Sequence, residues 1–195
     1  MKTVIVYNHP YEKSFNHAIL EATMRGLKHS ENEIDLINLD EDKFNPVMEK
    51  EDLLGFVRHS AVDDQAVDYI NRLQNADNLV FIFPIWWELM PAMMKGFIDK
   101  VIFPGGTFDY TKSGYGMISK LSRLKKTTVI TTMNTPKALY RMIFSNAIQR
   151  SLIRGTLKKS GMKNITWLSF NMIKSSSIKR RTSWLVKVEK HFKNI

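Results

Sequence analysis

The stretch Asn78-Leu79-Val80-Phe81-Ile82-Phe83-Pro84-Ile85-Trp86-Trp87-Glu88-Leu89-Met90-Pro91-Ala92-Met93-Met94-Lys95-Gly96-Phe97-Ile98-Asp99-Lys100-Val101-Ile102 decides the architecture. After Asn78 it runs apolar without a break to Ile85. A run of that length reads as a strand buried on both faces. Pro91 to Ile102 reads as a helix with proline in its first turn, where a missing N–H costs nothing. Between them stand two adjacent tryptophans. Neighbours on a strand face opposite ways, so a core explains only one of them. The expectation is that one packs inward and the other lines a pocket or an interface. Aromatic planes at such a place suit a flat aromatic ligand.

Working outward, strands and helices alternate. Lys2–Tyr7 is a short β-branched run. Ser14–Lys28 has helical spacing, with Phe15, Ile19 and Leu27 on one face and Ser14 as N-cap. Glu33–Leu39 is a second strand. Asp40–Ser60 is polar and reads as a loop with a short helix. Val62–Ala76 is helical, and Asp63-Asp64 suit the start of a helix. Lys126–Thr132 is a fourth strand, and Lys137–Ser160 reads as one long helix ended by Gly161. Ile165–Phe170 is a fifth strand. Ser177–Phe192 closes the chain as a helix, with Ser175, Ser176 or Ser177 as its cap.

Five apolar strands joined by helical crossovers imply an α/β protein with a parallel sheet covered on both faces. Right-handed crossovers favour the doubly wound form with strand order 2-1-3-4-5. Ligands of such sheets bind beyond the carboxyl ends of the strands, where the winding reverses. Functional residues are therefore expected after Tyr7, Phe83 and Ile130.

The chain has 195 residues, a length suited to a single domain (1–195). With 29 Lys plus Arg against 19 Asp plus Glu, the formal charge is +10. Twelve of those bases and one acid, Glu189, lie between Arg150 and Ile195, so the first 149 residues sum to −1. The excess sits in the last quarter, including a basic helical segment at about 174–195. It suits a solvated face, an anionic cofactor or an anionic partner. No aromatic-interleaved basic ribbon or helix-turn-helix accompanies it, so nucleic acid is not an expected ligand. There is no cysteine, which excludes disulfides, thiolate nucleophiles and Cys-ligated metals. No His/Asp/Glu spacing suggests a metal site. The first apolar run is too short for a signal segment, and none approaches a membrane span. These features together fit the cytoplasm.

After the first strand comes His9-Pro10-Tyr11-Glu12-Lys13-Ser14-Phe15-Asn16. It contains neither a Gly-x-Gly-x-x-Gly turn nor a Walker A sequence. It does open a helix, whose free N–H groups and dipole can hold a phosphate. After the fourth strand comes Thr131-Thr132-Met133-Asn134-Thr135-Pro136.

His9-Pro10 with Ser14-Phe15-Asn16, then Phe83-Pro84-Ile85-Trp86-Trp87, then Pro91 followed by Lys95-Gly96-Phe97-Ile98-Asp99-Lys100-Val101, resembles the flavodoxin-like NAD(P)H:quinone oxidoreductases. That family includes quinone reductases, modulators of drug activity and flavoprotein subunits of potassium-efflux systems. The resemblance implies a flavodoxin-like fold and a noncovalent flavin, FMN or FAD. By carry-over His9, Ser14, Phe15 and Asn16 contact its phosphates. Pro84, Ile85, Trp86 and Trp87 line its ring, and Thr131, Thr132 and Asn134 approach it. The family's Thr-Thr-Gly-Gly loop reads Thr131-Thr132-Met133-Asn134 here, which implies a different path over the ring. The implied acceptor pocket has Trp87, Phe103, Phe108 and Tyr140 as walls. The implied chemistry is hydride transfer from NAD(P)H to flavin N5 and on to a quinone-like acceptor, by a ping-pong route. A homodimer with the site at its interface is also implied, with Met90, Met93 and Met94 at its border. An alternative is a regulatory flavoprotein on a membrane transporter or the cytoplasmic leaflet. Arg150, Arg154, Lys158 or Lys159 are candidates for selecting NADPH through its 2′-phosphate.

Overall fold

All seven residues of β3 (Asn78–Pro84) are buried. A strand buried on both faces needs a neighbour on each edge and a helical layer above and below. The computed structural model, which describes residues 1–195, supplies both. Before β3 come β1 (Lys2–Tyr7), α1 (Phe15–His29), β2 (Glu33–Asn38), α2 (Lys50–Arg58) and α3 (Asp64–Gln74). After it come α4 (Ala92–Val101), β4 (Phe108–Tyr110), β5 (Met117–Ser119), β6 (Lys126–Met133) and α5 (Lys137–Met142). A π-helix (Gln149–Lys158), β7 (Ile165–Asn171) and α6 (Ile178–Lys193) complete the chain. The main sheet has the order β2-β1-β3-β6-β7 and is parallel throughout. Counted along the sheet, this is the doubly wound order 2-1-3-4-5.

The two-residue period of the strands divides the core. Phe81, Phe83, Val4, Val6 and Val129 point to a layer formed by α3, α4 and the π-helix. Val80, Ile82, Ile5, Tyr7 and Ile130 point to a layer formed by α1 and α6. Capping follows the residue chemistry. The side chains of Ser14, Asp63 and Ser177 accept the backbone N–H groups of His17, Ala66 and Arg180. Gly161 ends its helix with φ at +88°.

Two elements depart from the sequence expectation. The helix expected over 137–160 is broken. Ser145 and Asn146 both take positive φ, and the chain resumes as a π-helix. The Tyr140 carbonyl accepts the Asn146 N–H at 2.9 Å, and the Tyr140 hydroxyl accepts the Ile148 N–H at 2.9 Å. These bonds replace the regular helical ones across the break. The second departure is an antiparallel pair, β4 with β5. Three-residue strands carry too little periodicity to be read in advance. The short helix expected within 40–60 is α2, nine residues long.

The Lys95–Val101 motif is structural. A Cβ on Gly96 would lie 2.3 Å from Pro46 Cα, so only glycine lets the loop before α2 cross α4. Phe97 packs among Phe44, Tyr69 and Phe81. Lys100 is 2% exposed, with its ammonium 2.7 Å from Asp63 and 3.3 Å from Asp52. Burial alone would lower the Lys100 pKa, but its bonds to the two carboxylates outweigh this and raise it. Burial would raise Asp63, but Lys100 and the N-cap hydrogen bond hold it below its ordinary value.

Removing Lys100 strands two carboxylates in the core. Lys100→Met is expected to cost about 3 kcal/mol, read from urea unfolding. Because Asp63 is depressed in the folded state, its contribution is present above its unfolded pKa of about 4 and fades as pH falls below that. The Met variant should therefore lose less stability on acidification than the parent. Equal acid sensitivity of the two proteins would contradict this account.

Candidate functional site

A cleft of about 300 Å³ opens at the carboxyl edge of the sheet, where the winding reverses. The β1–α1 connection gives it His9, Phe15 and Asn16. The end of β3 gives Pro84, Ile85 and Trp86, and the end of β6 gives Thr132, Met133 and Asn134. Ile173 and Lys174, from the loop after β7, close it.

The α1 end of the cleft presents free backbone donors. Ser14 satisfies the His17 N–H at 3.1 Å, and the Phe15 and Asn16 N–H groups have no partner in the chain. They stand at the positive end of the helix dipole. The Phe15 ring packs against Phe170 and Trp184, with centroids 6.4 and 6.0 Å away, and this fixes where the helix begins. Asn16 is buried, and its Oδ1 accepts the Thr132 hydroxyl at 3.1 Å, tying α1 to β6. His9 Nδ1 accepts the Tyr11 N–H at 3.1 Å. Burial lowers the His9 pKa despite the charge of Asp40, so near neutrality the ring is uncharged with its proton on Nε2. Burial, aided by Asp40 and Glu41, pushes the Tyr7 phenol up to about 12. It therefore adds no negative charge beside the α1 end.

The other end is a turn. Trp86 and Leu89 exchange backbone hydrogen bonds of 2.9 and 3.1 Å, and Trp87 and Glu88 between them have φ of 47° and 64°. Two bulky residues in the left-handed region are costly, so the turn needs external support. Tyr140 Oη donates to the Glu88 carbonyl at 3.0 Å, and Thr135 Oγ1 donates to Glu88 Oε1 at 2.7 Å. The Trp87 and Glu88 N–H groups have no partner in the chain.

This turn corrects the expectation for the tryptophans. Neither packs inward: Trp86 is 47% exposed and Trp87 98%. Both follow the end of β3, so strand alternation no longer governs them. Alternation does separate Thr131 from Thr132. Thr131 faces the opposite layer, where its hydroxyl accepts the Trp167 indole N–H at 2.9 Å. Ser14 acts through its cap, outside the cleft lining. Asn134 Oδ1 accepts the Lys174 N–H at 2.9 Å. Neither Met133 nor Asn134 takes a positive φ, and Met133 simply extends β6.

The four expected acceptor walls do not meet. Phe103 is buried, edge-on to Phe56 at 5.3 Å. Tyr140 is buried, and its hydroxyl is spent on Glu88 and Ile148. Phe108 borders a separate cavity of about 250 Å³ with Met90, Met117 and Lys159. Trp87 alone stands free. Met94 is fully buried and so lies on no outer border. Sequence reasoning missed Ile173 and Lys174. The signal was available: the fifth strand ends at the same edge as the other three.

A parallel sheet of this order with a cleft at its switch point defines a doubly wound ligand-binding protein. The sequence profile of the flavodoxin-like fold matches residues 1–191, and the chain belongs to that family. It is 26% identical to the ribosyldihydronicotinamide dehydrogenase [quinone] of Rattus norvegicus, over 98% of this chain and 92% of that one. It is 29% identical to the NAD(P)H dehydrogenase [quinone] 1 of Cavia porcellus over 56% of this chain, and spans about half that relative's length, 45%. The crystal structure of Smu.1420 from Streptococcus mutans UA159 superposes with a TM-score of 0.85 over 100% of both chains at 31% identity.

Replacing Tyr140 with Phe removes one of the two bonds that support the left-handed turn and leaves the Ile148 N–H without an acceptor. We expect Tyr140→Phe to destabilise the fold by about 1–3 kcal/mol in denaturant unfolding. A loss below about 0.5 kcal/mol would mean that the turn holds itself.

Proposed function

We propose that the protein is a flavin-dependent NAD(P)H oxidoreductase that reduces a quinone or a similar small acceptor. One observation carries the reading. Unpaired N–H groups at the start of α1 and unpaired N–H groups at the Trp87–Glu88 turn stand at the two ends of the switch-point region, with Pro84, Ile85 and Trp86 between them. That donor set fits a long ligand with an anionic tail and a flat, carbonyl-bearing ring. The names of the curated relatives support the redox assignment and the quinone as acceptor class.

A bound flavin would supply the hydride chemistry between NAD(P)H and the acceptor. The rest is done by the chain. The Phe15 and Asn16 N–H groups, with the Nε2–H of His9, would hold its phosphate. Asn16 and Thr132, locked to each other, keep α1 and β6 at constant separation. The Trp87 and Glu88 N–H groups would stabilise negative charge on its ring. Pro84, Ile85 and Trp86 give an apolar wall that keeps water from one edge. A single opening serves nucleotide and acceptor in turn, hence a ping-pong order.

A homodimer completes the site in this reading. The Glu88–Tyr140 bond sets α5 beside the turn. Exposed Trp87, Leu89, Met142 and Ile143 there leave large apolar side chains uncovered. A second copy would cover them and wall the open side of the ring.

The purified protein should be yellow, release FMN or FAD on denaturation, and oxidise NADPH or NADH with menadione. Parallel double-reciprocal lines should mark the ping-pong order. Asn16→Ala should weaken flavin binding about tenfold, roughly 1.4 kcal/mol, because it also strands the Thr132 hydroxyl. Colourless, folded protein that takes up neither flavin nucleotide would end the proposal.

A further inference from the structure

The basic excess of the last quarter is divided between two faces. Arg150, Arg154, Lys158 and Lys159 belong to the π-helix and the residue after it, on the α3–α4 side. The other share lies on α6, across the sheet, where Val188 and Phe192 pack on the α1 side. At 100° per residue, Lys179, Val186, Lys190 and Lys193 fall on one outward stripe of α6, flanked by Lys187. All five are exposed. The only acid on the helix, Glu189, is consumed by Arg25 at 3.1 Å. Nothing of opposite sign in the helix answers the lysines.

The stripe is not purely charged: Val186, within it, is 61% exposed, and Ile178, at the first turn but off the stripe, is 76% exposed. Met172, in the loop before the helix, is 39% exposed. Helices that lie in a membrane interface combine the same two elements: lysines that pair with anionic headgroups and apolar side chains that enter beneath them. A polynucleotide would ask for exposed aromatic planes, and Trp184 is instead covered by the Arg180 guanidinium at 4.9 Å from the ring centre.

We propose that the outer face of α6 docks the protein on an anionic lipid bilayer. The first turn of α6 lies at the carboxyl edge of the sheet, directly after Ile173 and Lys174 of the cleft. The docking does not rest on the function proposed above.

The test is co-sedimentation of the whole protein with vesicles, with no flavin or turnover in the readout. Binding is expected to phosphatidylcholine–phosphatidylglycerol vesicles and not to phosphatidylcholine alone. It should vanish near 1 M ionic strength, where screening is complete within about 3 Å. Each lysine near an anionic surface contributes roughly fivefold, so Lys179→Gln with Lys190→Gln should weaken binding roughly 25-fold. Lys158→Gln with Lys159→Gln, on the opposite face, should leave it unchanged. Circular dichroism and the thermal midpoint of each variant establish that it is folded. Absence of binding to the anionic vesicles, equal binding to the zwitterionic ones, or loss only in the Lys158/Lys159 variant would overturn the proposal. Competition by duplex DNA tighter than by the vesicles would overturn it too.

Discussion

A strand buried on both faces constrains everything around it. β3 has no polar face to offer water, so it must be central, and its crossovers must lay helices on both sides. That requirement places the reversal of winding beside β3. It also places the carboxyl ends of β1, β3 and β6 at one opening. The cleft is a consequence of how the strand is covered, before any residue in it is chosen for chemistry. The side-chain alternation that splits the core into two layers also decides which threonine reaches the opening. Thr132 shares a layer with α1 and meets Asn16; Thr131 shares one with Trp167 and is lost to the core.

The turn after β3 shows what the site costs. Glycine would take the left-handed positions freely, yet Trp87 and Glu88 stand there. The strain is held by bonds from outside the turn, and these come from Thr135 and Tyr140. Tyr140 meets this need at the expense of its own helix. Its hydroxyl, engaged with Glu88 and Ile148, sits where the expected long helix breaks. The conformation of the Trp86–Leu89 turn and the interruption between α5 and the π-helix are therefore one structural decision, with Tyr140 as the strut between them.

The architecture was legible because it rests on periodicity and on short-range chemistry. The five sheet strands, their order, and the caps at Ser14, Asp63 and Ser177 follow from local patterns. Most of the cleft lining was legible as well, since topology alone names the loops that form it. The rest depends on partners distant in sequence. Nothing local says that the Tyr140 hydroxyl reaches back 52 residues to Glu88, or that Phe103 faces Phe56. The β4–β5 pair is too short to show a period. Ile173 and Lys174 follow β7, a fourth strand that ends at the same edge as β1, β3 and β6.

The Lys95–Val101 segment bears on how far resemblance carries function. Gly96 admits Pro46, Phe97 fills an aromatic cluster, and Lys100 neutralises Asp52 and Asp63. None of these groups lines the cleft. A likeness in that segment therefore testifies to the way α4 is anchored on the sheet. The cleft is built instead from the β1–α1 connection, the end of β3, the end of β6 and the loop after β7. At the end of β6 the side chain of Met133 belongs to the buried core, and Asn134 is tied to the Lys174 backbone, so the path of that loop is set by the sheet and by one bond to the next connection.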